Sequence, residues 1–340
     1  MNKSLLEARP IRPGEGRLIC VANQKGGVAK TTTTVNLGCA LALRGHRVLI
    51  VDIDPQANAT TGLGIDHRNI ELSTYDLLTG DAGLGQVVQP TAVDQLECAP
   101  ASLDLAGAEI ELTAVMDRER RLAEALSGAH ERYDIVFIDC PPSLGLLTVN
   151  ALTAAQDLIV PVQCEYYALE GLGQLLETAE RVHSHLNPNL RIAGFLMTMY
   201  DARTKLASQV VEEVRSHFTG LVFKTLIPRS VRLSEAPSFG EPVLTLDPSS
   251  RGSVAYRLLA VEVEERYQLP VHVPPPPPKV VDVREKVAVE DTPSESGVDV
   301  TDDLVVVAGD PGPRGRGFGA ISPIPDGIDT AYPIEPWRIL

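Results

Sequence analysis

Val21-Ala22-Asn23-Gln24-Lys25-Gly26-Gly27-Val28-Ala29-Lys30-Thr31-Thr32 decides how the rest of the chain reads. An apolar run from Leu18 to Ala22 leads into it and predicts a buried strand. The uninterrupted pattern from Thr32 to Arg44, closed by Gly45, predicts a helix behind it. Strand, glycine-rich loop and helix form the setting of a phosphate-binding loop. Glycines let backbone N–H groups turn toward an anion, and the helix N-terminus adds partial positive charge. In that setting Lys30 neutralises phosphate oxygens and the Thr31 hydroxyl enters a Mg²⁺ shell.

The pattern G-x-x-x-x-G-K-[ST] is not met, because Gln24 occupies the place of its first glycine and Ala29 that of its second. The segment instead reads K-G-G-x-x-K-[ST], with Lys25 ahead of the glycines. On these residues it resembles the deviant P-loop of the ParA/MinD family of ATPases. The resemblance implies ATP and Mg²⁺ as cofactors, held by Lys25, Gly26, Gly27, Val28, Ala29, Lys30, Thr31 and Thr32. It also implies that Lys25 reaches across a dimer interface to the partner's nucleotide. A chance glycine-rich turn is the competing reading; two lysines, two glycines and Thr31 to Thr34 in the right order count against it. Ala29 would cost ~1 kcal/mol relative to glycine if its φ were positive. With Gly26, Gly27 and Lys30 in place, a negative φ and a silent replacement are expected.

Three further stretches extend the resemblance. Arg47 to Gln56 is an apolar run ending in two carboxylates, as in a parallel strand covered on both faces. Ligands of such sheets bind at the carboxyl edge, which is where Asp52 and Asp54 emerge. For Asp52 a turn or helix-cap role stays open. Asp54 begins Asp-Pro-Gln-Ala-Asn-Ala-Thr, similar to the family's D-P-Q-x-N-A-T. That similarity implies that Asp54 orients or activates the attacking water near Mg²⁺, a positioning role. Ile135 to Asp139, followed by Cys140-Pro141-Pro142-Ser143, resembles a Walker B strand with the D-x-P-P motif, which implies that Asp139 holds a Mg²⁺-bound water. Ile227-Pro228-Arg229 with Glu235-Ala236-Pro237 is similar to the Soj-type chromosomal ParA branch. It implies adenine recognition from the backbone around Pro228 and Arg229, and contacts to double-stranded DNA without sequence preference through Arg203 and Arg232. Against the last point, residues 200–235 hold six Lys and Arg to four Asp and Glu, and the arginines could simply pair with Asp201 and Glu235.

The remaining pattern predicts strands at 95–100, 157–163, 191–199 and 222–227, and helices at 74–78, 105–126, 168–185 and 248–269. Charges at Asp117 to Arg121 read as a solvated face. The expected fold is α/β: a doubly wound, mostly parallel sheet with helices on both faces, of P-loop NTPase type. Residues 1–16 read as a flexible leader and 17–269 as the ATPase domain. Residues 270–340 read as a Pro-rich acidic tail, mostly disordered, with polyproline II at Pro274 to Pro278. Apolar residues 334–340, around Trp337, are either a partner-docking peptide or a remnant packing on its own domain. The tail lacks the basic amphipathic character of a membrane anchor, so no membrane partner is expected.

Five scattered cysteines without paired spacing read as buried reduced thiols. A formal net charge of −15 excludes coating of nucleic acid by bulk charge. The tail, with six basic and twelve acidic residues, carries −6 of it. The whole reads as an ATP-dependent homodimer, cytoplasmic and nucleoid-associated in the ATP state. Its slow hydrolysis is stimulated by a ParB-like partner, in chromosome or plasmid partitioning. Two other readings share the nucleotide motifs. One is a positioning switch for a non-DNA cargo or cytoskeletal assembly recruited through the tail. The other is a metabolic P-loop enzyme, such as a dethiobiotin synthetase relative, whose substrate pocket the sequence does not reveal.

Overall fold

Seven strands in the order β3-β4-β2-β5-β1-β6-β7 make the sheet of the computed structural model, which describes residues 3–6, 16–166 and 172–270. They are β1 (Arg17–Val21), β2 (Val48–Asp52), β3 (Gln89–Pro90), β4 (Leu96–Ala99), β5 (Ile135–Asp139), β6 (Asp157–Gln163) and β7 (Arg191–Thr198). Every pairing is parallel except β3 on β4. The apolar runs at 17–21, 48–52 and 135–139 are buried at every position, as central strands of a doubly covered sheet must be. Register then sets the active edge: Val21 lies opposite Asp139, and Asp139 opposite Asp52.

The chief helices are α1 (Lys30–Ala42), α2 (Asn58–Gly62), α3 (Leu146–Ala154), α4 (Leu172–His185), α5 (Lys205–His217) and α6 (Arg251–Tyr267). Successive strand residues point to opposite faces. Ile19, Val21, Ile50 and Phe137 share a core with α1, α2 and α6, whereas Leu18, Cys20, Leu49 and Ile138 pack with α3, α4 and α5. All five cysteines are free and buried. Glu264 of α6 clamps the end of α1. Its carboxylate accepts from Arg44 Nε and Nη2 at 2.6 and 2.7 Å, and its Oε1 lies 2.8 Å from Nε2 of fully buried His46.

Four sequence expectations change. Residues 105–126 are not one helix: helices Leu105–Glu111 and Arg121–Ala125 are separated by short 3-10 turns. Val115 is extended and Asp117 takes a left-handed φ of 55°, which breaks the helical ladder. Nor are the charges there merely solvated. Arg121 donates to the carbonyls of Leu78 and Thr79, the open end of helix Thr74–Thr79, and Arg120 to that of Leu186. Residues 222–227 run beside β7 with only isolated bridges at Val222 and Pro228. Glu262 of α6 captures the N–H groups of Lys224 and Thr225 at 2.8 and 3.0 Å, so the ladder cannot continue through them. The expected flexible leader is anchored at one point, where Lys3–Leu6 form a 3-10 turn beside β7 and Leu5 is fully buried.

The tail from residue 271, with its polyproline and Trp337, lies outside the described residues. Among the described residues no helix is long and apolar enough to cross a membrane.

Glu264→Ala removes two charged hydrogen bonds and leaves His46 facing a void. The expected loss is about 2–3 kcal/mol. In a domain of this size that lowers Tm by roughly 5–10 °C, and a melt indistinguishable from wild type would contradict the clamp.

Candidate functional site

β1, β2 and β5 end side by side, and the loop 22–29 leaves from their midst. Asn23 braces it: its Nδ2 donates to Pro161 O of β6 at 2.8 Å, and its Oδ1 accepts from Lys25 N at 3.0 Å. Val28 is buried, and its carbonyl accepts from Thr198 Oγ1 of β7 at 3.0 Å. Gly27 turns at φ 74°, a conformation glycine adopts without cost.

Ala29 does the same without being glycine, at φ 71° and ψ 36°. The expected negative φ is therefore corrected to a positive one. Closing the loop onto α1 needs a left-handed residue just before Lys30, and Ala29 carries the steric cost of about 1–2 kcal/mol. Ala57 and Met199 are also left-handed, at φ 52° each. Ala29 and Met199 line the cavity described below, and Ala57 precedes Asn58, which also lines it. Strain of this kind persists where surrounding structure enforces it, and it collects at functional sites.

No side chain caps the N-terminus of α1, so its first N–H groups face the loop. Lys30 is buried and its ammonium donates to Lys25 O at 3.3 Å. Burial lowers its pKa, opposed by the charges of Asp139 and Asp54. Thr31 Oγ1 donates to Asp139 Oδ2 at 2.7 Å, and Thr34 Oγ1 to Asp139 Oδ1 at 2.9 Å. Burial, with Asp52 nearby, pushes the Asp139 carboxyl up to about 8 against these two donors. Asp52 takes the turn role left open for it, its Oδ1 accepting from Asp54 N at 3.1 Å, and also reaches α2, whose N-cap residue Ala57 makes no side-chain cap bond. Its Oδ2 accepts from Thr60 N and Oγ1 at 2.9 and 2.7 Å, holding the first turn of α2. Asp54, in contrast, lines the cavity, and among the described residues its Oδ1 accepts from Gln56 N two residues on at 3.0 Å.

A cavity of about 430 Å³ opens over this edge, within the range of small-molecule sites. Gly26, Gly27, Ala29, Lys30, Thr31, Thr32 and Asp54 line it together. Its far wall is Met199, Ala236, Pro237 and Glu241, with Gln56, Asn58 and Pro142 nearer the loop. Gln56, Asn58, Pro142, Ala236 and Pro237 belong to the family-like motifs, and their placement in the fold makes them cavity residues. Nothing in the sequence marks Met199. Pro228 and Arg229 line a smaller neighbouring cavity of about 150 Å³, which shares Ala29, Thr32 and Met199.

An ATP·Mg²⁺ complex suits this donor set. The uncapped helix N-terminus and the Lys30 ammonium are cationic donors, and Thr31 with Asp139 offers the hydroxyl–carboxylate pair a phosphate-bound Mg²⁺ uses. Among the described residues no group of three or more His, Cys, Asp or Glu forms a metal cage, and a Mg²⁺ held through phosphates needs none.

Lys25 does not line the cavity; its Nζ stands 3.7 Å from Glu165 Oε2 at the surface. Arg203 is largely exposed and makes a two-point bond to Asp201, which holds that carboxyl well below the usual range. Arg232 pairs with Glu235 at 3.1 Å and also with Asp247 at 3.4 Å. The competing pairs weighed from sequence are thus present, and exposed pairs of this kind hold only weakly.

A protein-family model described as an AAA domain matches residues 16–192. The chain is 57% identical over 248 residues to the sporulation initiation inhibitor protein Soj of Bacillus subtilis, covering 73% of this chain and 98% of that one. It is 52% identical over 252 residues to the chromosome partitioning protein ParA of Caulobacter vibrioides, covering 74% and 94%. Among solved structures, a cobyrinic acid a,c-diamide synthase from Mycobacterium smegmatis with bound ADP and magnesium superposes with a TM-score of 0.66 at 40% identity, covering 76% and 100%. The cell division ATPase MinD of Pyrococcus furiosus does so at 0.61 and 28%, covering 74% and 99%.

Ala29→Gly relieves the left-handed strain and is expected to raise the Tm of the nucleotide-free protein by about 2–4 °C, whereas Ala29→Val lowers it. A melt unmoved by both would show that the position tolerates its φ freely.

Folding raises the Asp139 pKa, so the unfolded chain loses this proton near 3.8 and the folded one only near 8. The stability this group contributes at low pH is therefore lost as pH rises through that window. Asp139→Asn, which mimics the protonated acid, should gain on wild type from about pH 5 to about pH 8 and then level off. Nucleotide-free melts across pH check this, and a gain that shrinks with pH would refute it.

Proposed function

The chain belongs to the ParA/MinD family of P-loop ATPases, in its Soj-type chromosomal branch, and from that premise we propose that it is an ATP-gated dimerisation switch that rides on DNA. It is an ATPase of chromosome partitioning that uses ATP and Mg²⁺. The observation that carries the reading is the meeting of Lys30, Thr31 and Asp54 in one cavity, at an uncapped helix N-terminus, with Asp139 hydrogen-bonded to Thr31 behind them.

ATP brings the γ-phosphoryl group that is transferred to water. The N–H groups of Gly26 to Thr32 and the Lys30 ammonium bind phosphate oxygens. Thr31 and Asp139 hold the metal side, and the Asp54 carboxylate orients the water. These are positioning and electrostatic tasks, which is what phosphoryl transfer asks of a protein. The wall of Met199, Pro228, Arg229, Ala236 and Pro237 takes the base. Lys25, outside its own cavity, serves the partner subunit's nucleotide, so that the dimer forms with ATP and dissolves after hydrolysis.

In the ATP state Arg203 and Arg232 of both subunits exchange weak surface carboxylate partners for DNA phosphates, without reading sequence. The protein works in the cytoplasm on the nucleoid, and a ParB-like protein accelerates its slow hydrolysis. A metabolic role is set aside. A solved neighbour named as a cobyrinic acid a,c-diamide synthase is 40% identical, whereas relatives named for chromosome partitioning are 49–53% identical.

DNA affinity with ATP is expected to fall steeply with salt. Arg203→Ala or Arg232→Ala, removing one contact per subunit, should lower the log–log salt slope of the dimer by roughly 2. ADP should abolish binding. Titration of non-specific duplex across a salt series measures both, and ATP-dependent dimers that ignore DNA would instead favour a positioning switch for another cargo.

A further inference from the structure

Lys25 is the one P-loop cation that the protomer does not spend on its own cavity, and the fold supplies it with a counter-ion. Glu165 follows β6, the strand that also braces the loop through Asn23 and Pro161. A tight turn fixes its backbone: Cys164 N donates to Thr198 O at 3.0 Å, Glu165 N to Gln163 O at 2.8 Å, and the Cys164 side chain is buried. On the other side, Lys25 is held at both of its backbone groups, its N–H by Asn23 and its carbonyl by the Lys30 ammonium. Two anchored backbones therefore bring the carboxylate of Glu165 to 3.7 Å from the Lys25 ammonium.

We infer that Glu165 is a positioning residue that parks Lys25 on its own subunit, and that dimerisation exchanges this carboxylate for the partner's nucleotide phosphates. This rests on the reading that Lys25 acts across the dimer interface. Both side chains are partly exposed, 37% and 51%, so the pair is weak enough to break and strong enough to bias the equilibrium. Each dimer breaks two such pairs. Glu165 thus raises the protein concentration at which ATP drives dimerisation, and guards against dimers before nucleotide is in place.

The experiment is sedimentation analysis of dimerisation in ATP for wild type, Glu165→Gln, Lys25→Ala and the double variant of the full chain, with ATPase rates at low and saturating protein concentration. Glu165→Gln is expected to lower the half-dimerisation concentration by about two- to tenfold, for two surface pairs. It should raise the rate only at low protein concentration and leave Tm unchanged. In the Lys25→Ala background it should do nothing. If Lys25→Ala impairs dimerisation while Glu165→Gln does not tighten it, or tightens it equally without Lys25, the parking role is overturned and the trans reading stands. If Lys25→Ala dimerises like wild type, the trans reading falls and the parking role with it.

Discussion

A single buried carboxylate ties the catalytic edge together. Asp139 ends the strand that lies between β1 and β2, with no exposed surface, and accepts one hydroxyl from Thr31 and another from Thr34. The two threonines sit three apart on α1, on one side of its first turn. The bond therefore fixes both the height and the rotation of the helix that receives the phosphates. Burying a carboxyl is costly, which is why its pKa rises, and a divalent cation would relieve that cost. A bound divalent cation would draw the Asp139 pKa back down, so burial of this carboxyl favours the metal.

The backbone stores a second form of tension. Left-handed residues at Ala29 and Met199 line one cavity and a third, Ala57, precedes the lining residue Asn58; only the packing around them makes these conformations persist. The Val28 carbonyl bonded to Thr198 and the Asn23 amide bonded to Pro161 are the restraints that do this for the loop. The scaffold behind them is stiff: α1 is buried nearly all round, and the Arg44–Glu264–His46 cluster clamps its far end to the last described helix.

At the periphery the surface is built for exchange. Lys25, Arg203 and Arg232 each carry an exposed guanidinium or ammonium resting on a carboxylate of the same subunit. Such pairs leave the cations at little cost, so a phosphate-rich partner can take them over. The Glu264 clamp and the exposed pairs use the same chemistry for opposite ends, and burial of the carboxylate decides which is permanent.

The glycine-rich loop, the apolar strands ending in Asp54 and Asp139, and the helix from Thr32 were all legible in the sequence, because each rests on local periodicity or a short motif. The parallel α/β architecture followed from the same continuous apolar runs. Local reasoning failed where a distant residue intervenes. Glu262 takes the N–H groups that would have made 222–227 a strand, and Asp117 breaks a helix whose composition predicted continuity. The sign of φ at Ala29 could not be read either, since the side chain permits the commoner conformation and only closure of the loop onto α1 forbids it. The sequence by itself determined which chemical groups this chain brings to a nucleotide. The tertiary structure alone decided that Met199, Ala236 and Glu241 wall the cavity and that Glu165 faces Lys25, because those contacts join residues far apart in the chain through sheet register rather than spacing.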